Sequence, residues 1–128
     1  MRMRFLSPKN HSLLDYSLSG AMIMFPLLLN LGTQSQAALW LSIIAGIFHA
    51  AYSAATDYPC GVSPVISYRA HLLIDAGMSM LLMSAPCVFG FPMVATVYYF
   101  VIGGLGLLLA TVSRPIEEGE CLDCVARP

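Results

Sequence analysis

The sequence predicts an all-α fold, a four-helix transmembrane bundle built from two tandem, parallel-related helix hairpins. Its 128 residues are 58% apolar and only 10% charged, whereas a soluble domain is about 45–50% apolar and about 25% charged. Four apolar stretches are each long enough to cross a bilayer, and the chain matches itself at an offset of 60 residues. This composition excludes a soluble globular domain, and it excludes intrinsic disorder, which requires low hydrophobicity and high net charge. A net charge of −1 gives no overall attraction to nucleic acid.

The four predicted spans are each about 20 residues long, which is the length that an α-helix needs to cross about 30 Å of hydrocarbon. They are continuously apolar, whereas the strands of a membrane barrel alternate apolar and polar residues. The spans cover residues 12–31, 37–56, 71–90 and 93–112. Residues 12–112 are therefore the predicted membrane domain, between an N-terminal segment, 1–11, and a C-terminal tail, 113–128.

The distribution of basic residues predicts the orientation of the spans. The connections at 32–36 and 91–92 carry no charge, so both are expected to be tight turns. All six basic residues lie in the N-terminal segment, the middle connection or the tail: Arg2, Arg4, Lys9, Arg69, Arg114 and Arg127. Since basic residues mark the cytoplasmic side, both termini are expected there.

The N-terminus has a second interpretation, as a signal peptide. The run Met1-Arg2-Met3-Arg4 precedes an apolar stretch, and Ser35-Gln36-Ala37 loosely resembles a cleavage site. Asp15 interrupts the apolar stretch near its start, and the stretch is needed to pair with a later repeat. We therefore expect it to be a span.

The offset of 60 residues indicates an internal duplication. It aligns His11-Ser-Leu-Leu-Asp15 with His71-Leu-Leu-Ile-Asp75, and it continues to align Ser19 with Ser79 and Pro26 with Pro86. The first repeat covers about residues 11–57 and the second about 71–112. Because each unit crosses the membrane twice, the copies share one orientation and are related by a pseudo-two-fold axis along the membrane normal.

These motifs also carry a resemblance to a known group of proteins. The two H-x-x-[LI]-D boxes, the Thr56-Asp57-Tyr58 box and the segment 84–91 resemble those of small bacterial four-helix integral membrane proteins related to the SPW-repeat proteins. The Ser-Pro-Trp triplet itself is missing, since Phe25-Pro26 and Ala85-Pro86 stand at its positions. The resemblance implies the four-helix fold and a bacterial cytoplasmic (inner) membrane. It implies no activity, because the group has no established one.

The candidate ligand-binding residues are ionisable side chains inside the predicted spans. In each box the histidine and the aspartate are four residues apart, so both project from the same face of a helix. A charged residue within a span costs roughly 2.5–3.5 kcal/mol on insertion scales, so such residues usually face the interior and have partners. The set comprises His11, Asp15, His49, His71 and Asp75.

Two interpretations of this set stay open. In one, the histidines and aspartates of the two copies pair with each other and hold the bundle together. In the other they bind a ligand: haem b between His11 and His71, a quinone head group beside His49 with Asp15 or Tyr16, or a divalent metal ion.

A second candidate metal site involves cysteines. Cys121-Leu-Asp-Cys124 forms a C-x-x-C motif in the tail, and Cys60 lies on the same predicted side of the membrane. One C-x-x-C is half of a usual zinc site, and Cys60 or a boundary histidine would complete it. The alternatives are a redox-active dithiol and a reduced tail without a ligand.

The expected function is that of a non-catalytic membrane subunit or scaffold that docks into a larger membrane complex. Short connections and the lack of a nucleophile constellation favour it over an enzyme. Faces of small residues are the expected contacts with other subunits or for self-association. The second span has such a face, which is expected to lie against another helix of the bundle, with another protein chain as the alternative: Ala38, Ser42, Gly46, Ala50 and Ala54. The alternative is a small redox or ligand-binding membrane protein that uses the His and Asp boxes.

Overall fold

The computed structural model describes residues 5–114, and within this range the chain is helical and contains no strand. The helices are α1 (Pro8–Leu28), the one-turn α2 (Leu31–Gln34), α3 (Gln36–Ala54), α4 (Tyr68–Phe89) and α5 (Met93–Val112). The all-α prediction is confirmed for the described residues. The expected turn at 32–36 is partly helical, since α2 occupies most of it.

Three helices, α3, α4 and α5, are long and apolar enough to cross a membrane. Helix α1 is of similar length, but it is more polar because Lys9, Asn10, His11 and Asp15 fall in its first two turns. Large apolar side chains such as Trp40 are exposed on the outer surface, whereas much of the buried interior is polar. This distribution is typical of a protein surrounded by lipid.

Serine caps set where the long helices begin. Ser7 caps α1 by accepting a hydrogen bond from the Asn10 N–H, and Ser67 caps α4 in the same way from Ala70. Both helices therefore begin three or four residues before the predicted positions. As a result, His11 and His71 each lie at the fourth residue of a helix.

The two internal prolines do not end their helices at once. Helix α1 continues past Pro26 to Leu28, and α4 continues past Pro86 to Phe89. Near a helix end the lost backbone hydrogen bond is tolerated more easily than in the middle.

The long helices pack mainly in two pairs, α1 with α3 and α4 with α5, and weaker contacts join α1 to α5 and α3 to α4. Small residues allow the close approach within each pair. A Cβ at Gly46 of α3 would lie 3.0 Å from the Ser19 carbonyl oxygen of α1, and one at Gly103 of α5 would lie 2.9 Å from that of Ser79 on α4. The small-residue face of α3 thus packs against another helix.

Two short backbone bridges close the end of the molecule where α1 and α4 begin. Thr56, just after α3, pairs with Ile66, and Ser113, just after α5, pairs with Leu6. Leu6 and Ile66 each directly precede a capping serine. The bridges therefore hold Thr56 and Ser113 beside the first turns of α4 and α1, where the box histidines lie.

Candidate metal centre

The two His–Asp boxes meet in the interior of the protein. His11 and His71 have no exposed surface, and Asp15 and Asp75 are 1% and 6% exposed. The Nε2 atoms of the two histidines are 3.3 Å apart. One potential ligand atom from each of the four residues falls within 4.8 Å of all the others. We call these four residues the His/Asp centre.

Both carboxylates face both imidazoles. Oδ2 of Asp75 lies 3.1 Å from Nε2 of His11 and 3.0 Å from Nε2 of His71. Asp15 places Oδ1 3.2 Å from Nε2 of His11 and Oδ2 3.0 Å from Nε2 of His71. Nitrogen and oxygen atoms from two helices therefore surround one point.

Hydroxyl groups set the orientation of the two imidazoles. Nδ1 of His71 lies 2.9 Å from Oγ1 of Thr56, and Nδ1 of His11 lies 2.6 Å from Oγ of Ser113. Each hydroxyl donates its single proton to a backbone carbonyl, Thr56 to Tyr52 and Ser113 to Leu109. Each must therefore accept a hydrogen bond from the histidine, so Nδ1 carries the proton and a neutral imidazole directs its Nε2 lone pair at the centre.

Tyrosines hold the two carboxylates. The Tyr52 hydroxyl donates to Oδ1 of Asp75, and the Tyr58 hydroxyl donates to Oδ2 of Asp15 at 3.0 Å. Burial raises the pKa of Tyr58 above its ordinary value, and the Asp15 charge acts in the same direction. Tyr58 thus stays protonated and remains a donor. Each aspartate therefore accepts a hydrogen bond from a tyrosine.

His49 of α3 lies at the edge of the centre. Its Nε2 is 3.7 Å from Oδ1 of Asp15 and 3.6 Å from Oδ1 of Asp75, distances too long for a hydrogen bond. His49 is 5% exposed, and its Nε2 has no hydrogen-bond partner among the described residues. A cavity of about 20 Å³ adjoins it, with Asp15, Tyr52 and Asp75 among its lining residues.

Some of the site residues predicted from the sequence lie together at the centre, and others do not. The structure brings the five candidate residues of the spans together, with His49 outside the closest contacts. Cys60 does not belong to the cluster of potential metal ligands found among residues 5–114. Its carbonyl accepts a hydrogen bond from the Tyr16 hydroxyl. Cys121 and Cys124 lie outside the described residues, and metal binding by them stays a prediction.

Sequence reasoning missed the residues that orient the centre: Tyr52, Thr56, Tyr58 and Ser113. Thr56 and Tyr58 stood in one of the motifs that carry the family resemblance, and that was the available signal; Tyr52 lies one turn before this motif. The sequence signal for Ser113 was weaker. Ser113 directly follows α5, and Thr56 has a similar position shortly after α3.

The contacts of the two imidazoles with each other and with the carboxylates, at 3.0–3.3 Å, are short enough for ligands of one metal ion. In a regular tetrahedron with edges of about 3.3 Å the middle is about 2.0 Å from each corner, which matches the bond lengths of zinc to histidine and carboxylate. A dication would also neutralise the two carboxylates. The hydroxyl partner of each Nδ1 fixes the tautomer and the ring orientation, as the outer partners of metal-ligating histidines do.

Comparisons of this chain with family models, with curated proteins and with solved structures find no match.

Proposed function

We propose that this protein is a four-span membrane protein that binds one divalent first-row transition-metal ion at the His/Asp centre. The observation that carries the proposal is the convergence of two Nε2 atoms and two carboxylates on one buried point. This develops the ligand-binding alternative from the sequence. The docking role expected first, as a subunit or scaffold, stays a prediction and is compatible with a metal centre.

A metal ion satisfies the centre better than protons do. Because each Nδ1 already carries a proton, charging both histidines would direct two N–H bonds at each other across 3.3 Å. Charging one histidine would leave a net negative charge in the interior, which is costly in a low-dielectric environment. One dication instead accepts both lone pairs and neutralises both aspartates.

The side chains of the centre and the volume of the adjoining cavity favour a metal ion over haem b and a quinone, the other two ligands considered from the sequence. Two histidines and two carboxylates suit zinc, iron, cobalt or manganese. Haem b requires its iron between two imidazoles, with Nε2 atoms about 4 Å apart for metal–nitrogen bonds of about 2.0–2.1 Å. The Nε2 atoms are closer than this, and the adjoining cavity of about 20 Å³ is far too small for a porphyrin or a quinone ring.

The proposal includes α1 as the fourth membrane span and the duplication of a helix hairpin within the chain. Helix α1 packs along α3, and apolar side chains such as Leu13, Met24 and Phe25 are exposed on its outer face. The offset of 60 residues, which aligns the boxes, also relates Leu6 to Ile66 and Ser7 to Ser67, which have the same bridging and capping roles. These equivalences support two tandem hairpins, the relationship to SPW-repeat proteins and, with it, a bacterial inner membrane.

The metal content of the purified protein tests the proposed function. Elemental analysis of the protein in detergent is expected to find about one transition-metal ion per chain, removed by a chelator and restored by adding the ion. Asp75→Asn keeps the size of the side chain but removes a charged ligand, so most of the bound metal should be lost. The matched control is Asp57→Asn, which changes an exposed aspartate of the loop and should retain it.

Misfolding of Asp75→Asn would also cause loss of metal, so the test includes a second variant and a measurement of the fold. Thr56→Val preserves shape but removes the acceptor of the His71 Nδ1 proton, and it should weaken metal affinity about 10–100-fold. Helical circular dichroism of each variant checks the fold. Wild-type protein that is purified without metal and binds none of zinc, iron, cobalt or manganese would contradict the proposal.

Accessibility labelling tests the four-span topology. In a cysteine-free background, Gln34→Cys should react with an impermeant maleimide in intact cells, because the basic-residue bias places the 32–36 connection outside. Lys9→Cys and Arg69→Cys should react only after permeabilisation. The opposite pattern would show that the orientation is wrong, and labelling of Lys9→Cys together with Gln34→Cys would exclude α1 as a span.

A further inference from the structure

We infer that the bound metal keeps one open coordination position facing His49, where it holds water that a small anion or diatomic molecule can replace. The inference rests on the proposed metal centre and adds a class of ligand to it. Four protein ligands would fill a tetrahedral site, so the open position is a fifth one, of the kind that metal sites gain when they expand to five ligands during a reaction.

The first observation is the unpartnered nitrogen of His49. Its Nε2 is buried and makes no hydrogen bond to any described residue. Leaving a buried polar atom unsatisfied costs about 1–3 kcal/mol, so such atoms usually have a partner that is a water molecule or a ligand. Among the described residues, Ser53 and Tyr68 also have a buried hydroxyl without a partner, but of the three only His49 lines the cavity beside the centre.

The second observation is the position of His49 relative to the two aspartates. Its Nε2 is nearly equidistant from Oδ1 of Asp15 and Oδ1 of Asp75, at 3.7 and 3.6 Å. The contacts of the two box histidines with each other and with the two carboxylates are shorter, at 3.0–3.3 Å. His49 therefore lies one step further out, where it contacts a molecule bound to the metal more readily than the metal itself.

The third observation is the cavity between His49 and the helices opposite. Its volume of about 20 Å³ exceeds the roughly 10–15 Å³ that one water molecule needs. Both polar groups and apolar side chains line it, and the apolar ones include Leu18, Met22, Met78 and Leu82. A cavity of this size and lining accepts ligands of one to three atoms and excludes larger substrates.

Cobalt provides the probe, because its visible absorption reports the number of ligands and changes when one is added. The wild-type protein loaded with Co²⁺ is expected to show a saturable spectral change with azide. His49→Leu should keep its cobalt but bind azide about tenfold or more weakly, since a hydrogen bond to a charged ligand is lost. His49→Gln, which retains a polar group, should lie between the two.

The control is Ile47→Leu, which changes an exposed neighbour on the same helix and should leave azide binding unaltered. Cobalt-loaded protein whose spectrum azide does not change would overturn the open position. Equal azide affinity in His49→Leu would overturn the role of His49, and loss of cobalt from that variant would make His49 a metal ligand instead. Failure of the wild type to bind cobalt or any other transition metal would count against the metal centre itself.

Discussion

Asp75→Ala is expected to lower the free energy of unfolding of the metal-loaded protein by about 3–5 kcal/mol, the usual cost of removing one partner from a buried charged pair. The change removes the carboxylate that faces His11 and His71 and that accepts the hydrogen bond of Tyr52. It also removes a metal ligand. Denaturant titration in mixed micelles, followed by circular dichroism, measures the loss.

A double-mutant cycle shows whether the four residues act as one unit. His71→Ala alone should cost a similar amount, but in the Asp75→Ala background it should cost much less, because the metal has already been lost. An interaction energy at the upper end of the usual 0.5–3 kcal/mol is expected. Strictly additive costs would show that the two residues stabilise the protein independently. Asp57→Ala, at an exposed aspartate, is the control and should change stability by less than about 0.5 kcal/mol.

Gly61→Ala is the second substitution with a large expected effect. A Cβ at this position would lie far inside van der Waals contact with the carbonyl oxygen of Thr56 and 3.2 Å from that of Tyr58. Both neighbours are backbone atoms of the loop that orients the centre, so they cannot move aside alone. The strain should lower the free energy of unfolding by about 1–3 kcal/mol.

Metal affinity provides a second measurement on Gly61→Ala. Displacing Thr56 disturbs the acceptor that holds the Nδ1 proton of His71, so metal affinity should fall together with stability. The matched control is Gly77→Ala on α4, where a Cβ has nothing within 4 Å and the helix gains about 0.5–1 kcal/mol in propensity. A Gly61→Ala protein as stable as the wild type would contradict the close packing of this loop.

The helices could largely be predicted from the sequence, because a continuous apolar run of about 20 residues has few other stable structures in lipid. The predicted and observed bounds of α5 coincide, and those of α3 differ by one or two residues. The predicted starts of α1 and α4 were too late, because the capping serines precede the apolar runs. Ser7 followed by Pro8 is a recognisable start signal, and its counterpart is Ser67.

The sequence alone also determined that each histidine shares a helix face with its aspartate, because residues four apart lie one turn apart. Their burial followed from the cost of a charge in lipid. Only the tertiary structure decided that the two boxes meet with the Nε2 atoms of their histidines in contact. It also decided that His49 lies beyond hydrogen-bond distance of the two aspartates. These distances depend on how closely α1, α3 and α4 approach one another, and local spacing does not encode that approach. The same holds for Thr56 and Ser113, which reach the histidines because backbone bridges between distant segments place them there.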